Sequence, residues 1–250
     1  MDVRFSALKA RTSSAGANTC FFEQDAQSAL WRRTSIELSG TFFLMLVVCA
    51  SSHAAQQLFQ HAGAVVVTNA FATGAALTGL IIAFGAASGG HFNPLITCMQ
   101  WIRRERSLLC TAAYVVAQFA GAGAGAWLGT LFVGANDVPY SIASSVDTAH
   151  WVSEVIASAG LMIVVFGSSQ SGRKETGPIA VGAWLMAAII ALPSGSYANP
   201  AICLAAVIAD APMALSFPAA GSYVVAEIIG GAIALAVTEI GYPRGLPTSS

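Results

Sequence analysis

The sequence predicts an all-α membrane protein in which six membrane-spanning helices and two shorter re-entrant half-helices form an inverted repeat. Three observations lead to this fold class. Only 9% of the 250 residues are charged, against about 25% in soluble domains, and the mean hydropathy is +0.68. Six apolar stretches approach the length that crosses a bilayer. Two Asn-Pro pairs each open an apolar segment that is too short to cross one.

The six predicted spans account for most of the chain. They cover residues 35–55, 64–87, 108–134, 151–169, 177–193 and 218–241. The two shorter segments begin at Asn93-Pro94-Leu95 and at Asn199-Pro200-Ala201. Asn is a preferred helix N-cap and Pro is tolerated at the first helical position, so each pair predicts a helix start. The apolar runs end at Ile102 and near Ile208. Two half-helices of about ten residues, end to end, span about 30 Å, the thickness of a bilayer core.

The eleven Lys and Arg residues occur in four places, which set the predicted topology. They are Arg4, Lys9, Arg11, Arg32 and Arg33 near the N-terminus, Arg103, Arg104 and Arg106, then Arg173 and Lys174, and finally Arg244. Cytoplasmic loops carry an excess of Lys and Arg, so these segments and both chain termini are predicted to be cytoplasmic. The loop between residues 134 and 150 has no Lys or Arg and is predicted outside.

The chain divides into two halves of matching content, about residues 35–134 and 151–241. Each half has a first span with one Glu (Glu37 or Glu154), a second span, an Asn-Pro half-helix and a Gly-rich third span. Because each unit has three crossings, the second is inverted relative to the first, and the interrupted helices meet at the midplane. Residues 1–34 and 243–250 are predicted tails that flank a membrane domain of residues 35–242.

Glycines stand where closely packed helices need them. Gly121, Gly125 and Gly129 are four residues apart in the third span, a pattern that lets helix backbones approach. The same packing role is expected of Gly74, Gly79, Gly85, Gly230 and Gly231. No hydrolytic, redox or nucleotide-binding motif occurs, and the five Cys show no paired spacing. The sequence therefore predicts neither an enzyme nor a site for a cofactor, a metal or nucleic acid.

The two Asn-Pro loops and their flanking spans resemble the aquaporin, or major intrinsic protein, family. Residues 88–95 (SGGHFNPL) and 195–201 (GSYANPA) are similar to the two Asn-Pro-Ala loops of that family. Residues 37–41 (ELSGT) resemble its first-span motif and residues 114–121 (YVVAQFAG) its third-span motif. One Asn-Pro pair is weak evidence, but two in corresponding places are specific. The resemblance covers residues 35–242 and implies an aquaporin-like channel domain.

The resemblance implies roles for the loop residues. Asn93 and Asn199 would each cap a half-helix and point an amide N–H into a pore, while the helix dipoles oppose cations. Glu37 and Glu154 would accept hydrogen bonds from the loops, since an intramembrane carboxylate is costly unless paired. A proton relay is the alternative for these two residues. His91 corresponds to a structural loop histidine, with a gate or pH sensor as the alternative.

The expected selectivity constriction departs from the family pattern. Counting from the two Asn residues places its four positions at Thr73, Ala187, Ser196 and Ile202. Most of the family has Arg where Ile202 stands, and Arg supplies positive charge and a fork of donors that narrows the pore. Its replacement predicts a wider and more apolar constriction with relaxed selectivity. Leu95, in place of the Ala of the first motif, could narrow the pore near the midplane.

A second loop with an aliphatic residue in place of Arg is similar to a bacterial aquaporin subgroup linked with arsenic resistance. We therefore predict a passive homotetrameric channel in membrane lipid, in a bacterial inner membrane, for water and small uncharged solutes. Uncharged arsenite or antimonite and small organoarsenicals are alternative permeants. Two other classes stay open: a secondary transporter that couples through Glu37 and Glu154, and a non-conducting structural membrane protein.

Overall fold

A computed structural model describes residues 22–24, 28–59, 61–132, 146–172, 175–209 and 212–242. In this part of the chain the helices are α1 (Leu30–Leu58), α2 (Ala62–Ser88), α3 (Pro94–Ile102), α4 (Leu108–Thr130), α5 (Thr148–Gln170), α6 (Gly177–Ala191), α7 (Pro200–Ala205) and α8 (Phe217–Gly241). Most of the predicted N-terminal tail, the predicted C-terminal tail and the basic residues Arg173 and Lys174 lie outside the described residues.

The order of long and short helices confirms the predicted fold class, with shifts at some boundaries. Helices α1, α2, α4, α5 and α8 are long and apolar enough to cross a membrane. Helix α6 has only 15 residues and ends at Ala191, because Leu192 is extended and starts the second re-entrant loop. Helix α1 instead begins at Leu30, before the predicted boundary at residue 35, and continues to Leu58.

The predicted helix starts at the Asn-Pro pairs are confirmed by their caps. The side chains of Asn93 and Asn199 each accept a backbone N–H from the first turn of α3 and α7. Pro94 and Pro200 occupy positions at which a backbone N–H has no intrahelical partner. Both half-helices therefore start where the local Asn-Pro sequence predicts.

The second half-helix is shorter than predicted. Helix α7 ends at Ala205, not near Ile208. A tighter turn follows, in which the N–H groups of Val207 and Ile208 donate to carbonyls three residues earlier, at 3.2 and 3.1 Å, instead of four as in an α-helix. A bond of 3.2 Å from Leu215 N to Ala206 O holds this turn against the segment that leads into α8.

Equivalent helices of the two halves make equivalent contacts. Helix α1 packs along α4 as α5 packs along α8, and α2 packs against α6 between the halves. Gly121 of α4 lies against the carbonyl of Leu38, and Gly230 of α8 lies against the carbonyl of Val155. Leu38 and Val155 each follow the membrane glutamate of their half. These matched contacts are those of a two-fold repeat, and they bring α3 and α7 together.

Most of the other predicted packing glycines lie at helix contacts. Gly125 and Gly129 face α1, Gly74 faces α6, and Gly85 faces the side chain of Phe22. Gly79 does not follow the pattern. Among the described residues of this chain, a methyl group at Gly79 would meet nothing within 4 Å, so the prediction that it lets helices of one subunit approach is wrong.

The two ends of the helix bundle differ in charge. At one end, called the basic end below, Arg33 at the start of α1 and Arg106 just before α4 converge on Glu23. The opposite end, called the far end, holds the start of α5 with its cap Asp147 and the segment around Met213 that leads into α8. The two Asn-Pro loops lie between these ends.

Candidate functional site

The two Asn-Pro loops meet inside the molecule through reciprocal hydrogen bonds. Asn93 Nδ2 donates to the carbonyl oxygen of Ala198 at 2.8 Å, and Asn199 Nδ2 donates to that of Phe92 at 2.8 Å. Each Asn Oδ1 also accepts the N–H two residues further on, at 2.8 and 3.0 Å. Each amide therefore caps its own half-helix and ties down the opposite loop. Since a side-chain amide has two N–H donors, one donor of each Asn remains.

The residue before each Asn has a left-handed backbone, with φ of 47° at Phe92 and 45° at Ala198. Non-glycine residues adopt this conformation at a cost of about 1–2 kcal/mol, so it persists only where surrounding bonds hold it. Here the N–H of Phe92 donates to Glu37 at 2.7 Å and that of Ala198 donates to Glu154 at 3.0 Å. The carboxyl groups thus hold the turns that place the two Asn side chains face to face.

Glu37 of α1 is fully buried and binds both the first loop and the side chain of Gln118 in α4. It accepts hydrogen bonds from Ser88 Oγ at 2.6 Å, from the N–H groups of His91 (3.1 Å) and Phe92 (2.7 Å), and from Gln118 Nε2 at 2.8 Å. Four donors on two oxygens satisfy most of the accepting capacity of a carboxylate. This geometry matches the loop-binding role that the resemblance implied.

The second loop is held by two buried carboxyl groups. Glu154 of α5 accepts the N–H groups of Tyr197 and Ala198, both at 3.0 Å. Glu227 of α8 accepts the next N–H along the chain, that of Asn199, at 2.9 Å. The two carboxyl groups thus bind three consecutive peptide N–H groups of the second loop. Glu227 thereby holds the backbone of Asn199 directly.

A cavity of about 390 Å³ passes between the loops. Its lining extends from Val66 and Met213 at the far end, past Asn93 and Asn199, to Phe22 at the basic end. Most of the wall is apolar, and its apolar residues include Leu44, Leu77, Ile81, Val165, Leu185 and Ile189. Such a wall with few polar groups suits uncharged solutes, because an ion would lose its hydration without compensation.

Three of the four predicted constriction residues line this cavity, and one does not. Thr73, Ser196 and Ile202 are buried lining residues. Ala187 is exposed and is absent from the lining, whereas Leu185 and Ile189 of the same helix belong to it. The prediction for Ala187 counted back from Asn199 through an irregular loop. A miscount there of one or two residues rotates the assigned position by about 100–200° around the helix.

His91 belongs to a buried polar cluster at the basic end. Its Nδ1 lies 2.9 Å from Thr97 Oγ1, and its Nε2 lies 3.5 Å from a guanidinium nitrogen of Arg106. Glu23, only 2% exposed, bridges Arg106 at 3.2 Å and Arg33 at 2.8 Å. Part of the predicted polar tail is therefore packed against the helix bundle. Among the described residues, no group of three or more His, Cys, Asp or Glu is placed to hold a metal ion.

Comparison with known proteins agrees with this geometry. A model of the family described as major intrinsic protein matches residues 24–193, more than half of the chain. Aquaglyceroporin AqpS of Rhizobium meliloti (strain 1021) is 33% identical over 208 residues, which are 83% of this chain and 89% of that protein. The chain belongs to the major intrinsic protein family. It is thus an integral membrane channel for water or small uncharged solutes, not an enzyme.

Two further relatives come from eukaryotes. Nodulin-26 of Glycine max is 33% identical over 174 residues, which cover 66% of this chain and 62% of the relative. Aquaporin-5 of Rattus norvegicus is 36% identical over 113 residues, 43% of this chain and 42% of the relative. The similarity to AqpS thus extends over a larger share of both chains than either of these.

In this major intrinsic protein, Leu95 of the first motif does not narrow the pore. Leu95 is 2% exposed and is absent from the cavity lining. Its Cδ1 would lie 3.0 Å from a Cβ added at Gly231 of α8. The bulkier side chain fills the space that this glycine leaves between α3 and α8, so the expected constriction at Leu95 is wrong.

Sequence reasoning also missed three residues of this channel. Asn69 lines the cavity one helical turn from Thr73, and Phe22 lines it at the basic end. Glu227 binds the second loop. A signal for Glu227 was present, because it stands three residues before Gly230 just as Gln118 stands three residues before Gly121. Asn69 and Phe22 carry no comparable signal.

Proposed function

We propose that this protein is a passive channel through which water and uncharged solutes of about glycerol size pass between Asn93 and Asn199. The observation that carries the proposal is the cavity that extends past both side chains to each end of the molecule. Each Asn retains one N–H donor for a passing solute, and the rest of the wall is mainly apolar. Both half-helices start at these residues, so their positive dipole ends oppose cations.

We assign the relaxed selectivity to the residue after the second motif. Ile202 lines the cavity where an arginine would add a positive charge and donors. Thr73 and Ser196 supply small hydroxyl groups near it, so the constriction is wider and less polar than one with arginine. The name aquaglyceroporin, given to the relative AqpS, supports a glycerol-sized limit.

Neutral arsenite is the alternative permeant. It is a small uncharged trihydroxy compound, comparable to glycerol in the number of its hydroxyl groups. The apolar Ile202 side chain in the lining favours such solutes over water-only selection. This alternative shares the pore and differs only in the preferred solute.

The contacts of the membrane carboxyl groups argue against a coupled transporter. Glu37 accepts four hydrogen bonds and Glu154 accepts two from the backbone of the loops. A coupling group must bind and release protons or ions during each cycle, and these groups hold the pore structure. A cavity whose lining extends from the far end to the basic end likewise argues against a non-conducting structural protein.

The next proposals concern the orientation of the channel in the membrane and its assembly as a homotetramer. We infer that the basic end faces the cytoplasm, with both termini there, because cytoplasmic segments are enriched in Lys and Arg. We further infer that residues 35–242 form the channel domain of a homotetramer with one pore per subunit, in a bacterial inner membrane.

Stopped-flow light scattering on proteoliposomes tests the proposal. The wild type and Ile202→Arg are compared for uptake of water, glycerol, urea and neutral arsenite. Wild-type liposomes should pass glycerol and at least one of urea and neutral arsenite, and the added Arg should suppress the flux of these solutes while water flux persists. A wild type that inserts fully but passes nothing above empty liposomes would overturn the channel proposal.

A further inference from the structure

A polar stripe lies on α2 at the far-end half of the cavity. Asn69 and Thr73 are four residues apart on this helix and both line the cavity. At 1.5 Å per residue, Asn69 lies about 6 Å further toward the far end than Thr73. Leu77 and Ile81 continue the same face toward the basic end. A solute that enters from the far end therefore meets Asn69 before it reaches Thr73 and the paired Asn loops.

The Asn69 side chain is oriented by two hydroxyl groups. Its Oδ1 accepts a hydrogen bond from Ser51 Oγ of α1 at 2.8 Å and one from Thr73 Oγ1 at 3.3 Å. These bonds occupy the acceptor of the amide and leave its two N–H donors. Both side-chain hydrogen bonds of Asn69 to the described residues are made by Oδ1, and neither involves Nδ2. The donors of Asn69 are therefore available to the cavity that the residue lines.

A second free polar group lines the same cavity. Ser196, in the second re-entrant loop, is 4% exposed, and its Oγ has no hydrogen-bond partner among the described residues. A buried hydroxyl without a partner costs about 1–3 kcal/mol unless a water or solute binds it. Its backbone has φ of 54°, so the loop holds this serine in a conformation that few non-glycine residues adopt. The unpartnered hydroxyl and the left-handed backbone both indicate that the Ser196 side chain contacts solutes in the cavity.

We propose that Asn69 is a specificity-determining residue of this channel, one that supplies the far-end constriction with the amide donors that Ile202 cannot supply. Together with the Ser196 hydroxyl it binds solutes that carry several hydroxyl or amide groups, such as polyols and urea. This proposal rests on the proposed channel function. It differs from the arginine-bearing arrangement in that the donors are uncharged and come from α2.

The competing explanation is that Asn69 only ties α2 to α1 through Ser51. The two explanations predict different stabilities and solute preferences for a variant that lacks the Asn69 amide and for one that lacks only the hydrogen bond between Ser51 and Asn69. Asn69→Leu removes the amide and its hydrogen bond with Ser51, whereas Ser51→Ala removes that hydrogen bond and keeps the amide. A purely structural Asn69 gives the same loss of stability in both variants and no change in solute preference in either.

The experiment measures glycerol and water permeability of the full chain in proteoliposomes by stopped-flow light scattering. Asn69→Leu should lower the glycerol-to-water permeability ratio about five-fold, the rate effect of one hydrogen bond of ordinary strength. Thr68→Val is the matched control, because Thr68 is the neighbouring polar residue of α2 and is absent from the cavity lining. Its ratio should equal that of the wild type.

If Asn69→Leu fails to insert, Asn69→Ala replaces it, because alanine is well tolerated in a helix and removes both N–H donors without adding a charge or a new donor. The same fall in the ratio is expected. An unchanged ratio in a conducting Asn69 variant would overturn this proposal and leave the channel function intact. A wild type that conducts neither solute would instead overturn the proposed function, so the two failures are distinguishable.

Discussion

Replacing Glu227 with Gln tests whether the second loop is held in the same way as the first. Glu227 Oε1 accepts the N–H of Asn199 at 2.9 Å, and its Oε2 has no hydrogen-bond partner among the described residues. In the first half, Gln118 has the matching place, and its Nε2 donates to Glu37 at 2.8 Å. A glutamine at position 227 keeps the acceptor for Asn199 and adds an N–H donor beside Glu154.

The expected magnitudes follow from these contacts. Leucine at position 227 has a similar volume but no acceptor, so it leaves the buried N–H of Asn199 unpaired at a cost of about 1–3 kcal/mol. Glutamine keeps that bond and replaces one of two buried carboxyl groups, which repel each other when both are charged. Its added N–H, at the place of the unpartnered Oε2, can donate one hydrogen bond worth about 1 kcal/mol. We expect the free energy of unfolding of Glu227→Gln to equal that of the wild type or to exceed it by about 1 kcal/mol. For Glu227→Leu we expect it to be about 1–3 kcal/mol lower.

Thermal unfolding of the detergent-solubilised protein, followed by circular dichroism, measures the difference. For a protein of this size, 1 kcal/mol corresponds to about 2–4 °C in Tm. Water permeability in proteoliposomes should be retained in Glu227→Gln and reduced in Glu227→Leu. If both variants lose the same stability, then the carboxylate charge itself is needed, and the argument from the matched halves is refuted.

Two further predictions concern packing and the basic end. Gly230→Ala should lower the free energy of unfolding by about 1–3 kcal/mol, because the new methyl meets a backbone carbonyl of α5. Gly79→Ala is the control: its methyl meets none of the described residues, so its free energy of unfolding should stay within about 0.5 kcal/mol of the wild type in the same assay. Equal effects of the two would contradict the packing argument. Glu23→Gln should weaken the ion pairs with the buried Arg33 and Arg106. The N–H of Gln24 donates to the carbonyl of Ala86 at 3.0 Å, and its hydrogen exchange should become faster when these ion pairs are weakened. Unchanged exchange would show that packing alone holds this segment.

Much of the fold was predictable because its causes are local. The spans follow from the length and composition of apolar stretches, and the half-helices start where Asn caps and Pro fits the first turn. The repeat follows from the order of Glu, Asn-Pro and Gly-rich segments in each half. The loop bonds to Glu37 and Glu154 were expected from the family resemblance. The spans, the helix starts and the repeat need no knowledge of how distant segments pack, whereas the loop bonds join distant residues and were expected only because of the resemblance.

The positions that line the pore were less predictable, as Ala187 illustrates. In a membrane protein the lipid-facing and interior faces of a helix are both apolar, so hydrophobic periodicity does not tell which face turns inward. Helix α6 is apolar all round, and only its packing against α2 and α5 turns Leu185 and Ile189 toward the cavity. Counting residues through an irregular loop cannot replace that information.

The sequence by itself determined that the chain crosses a membrane, that its halves repeat and that two capped half-helices interrupt it. Only the tertiary structure decided which side chains meet. Leu95 packs on Gly231 instead of entering the pore, Glu227 accepts the N–H of Asn199, and Asn69 lines the cavity. Each of these outcomes depends on the rotation and separation of helices far apart in the chain, which local composition does not specify.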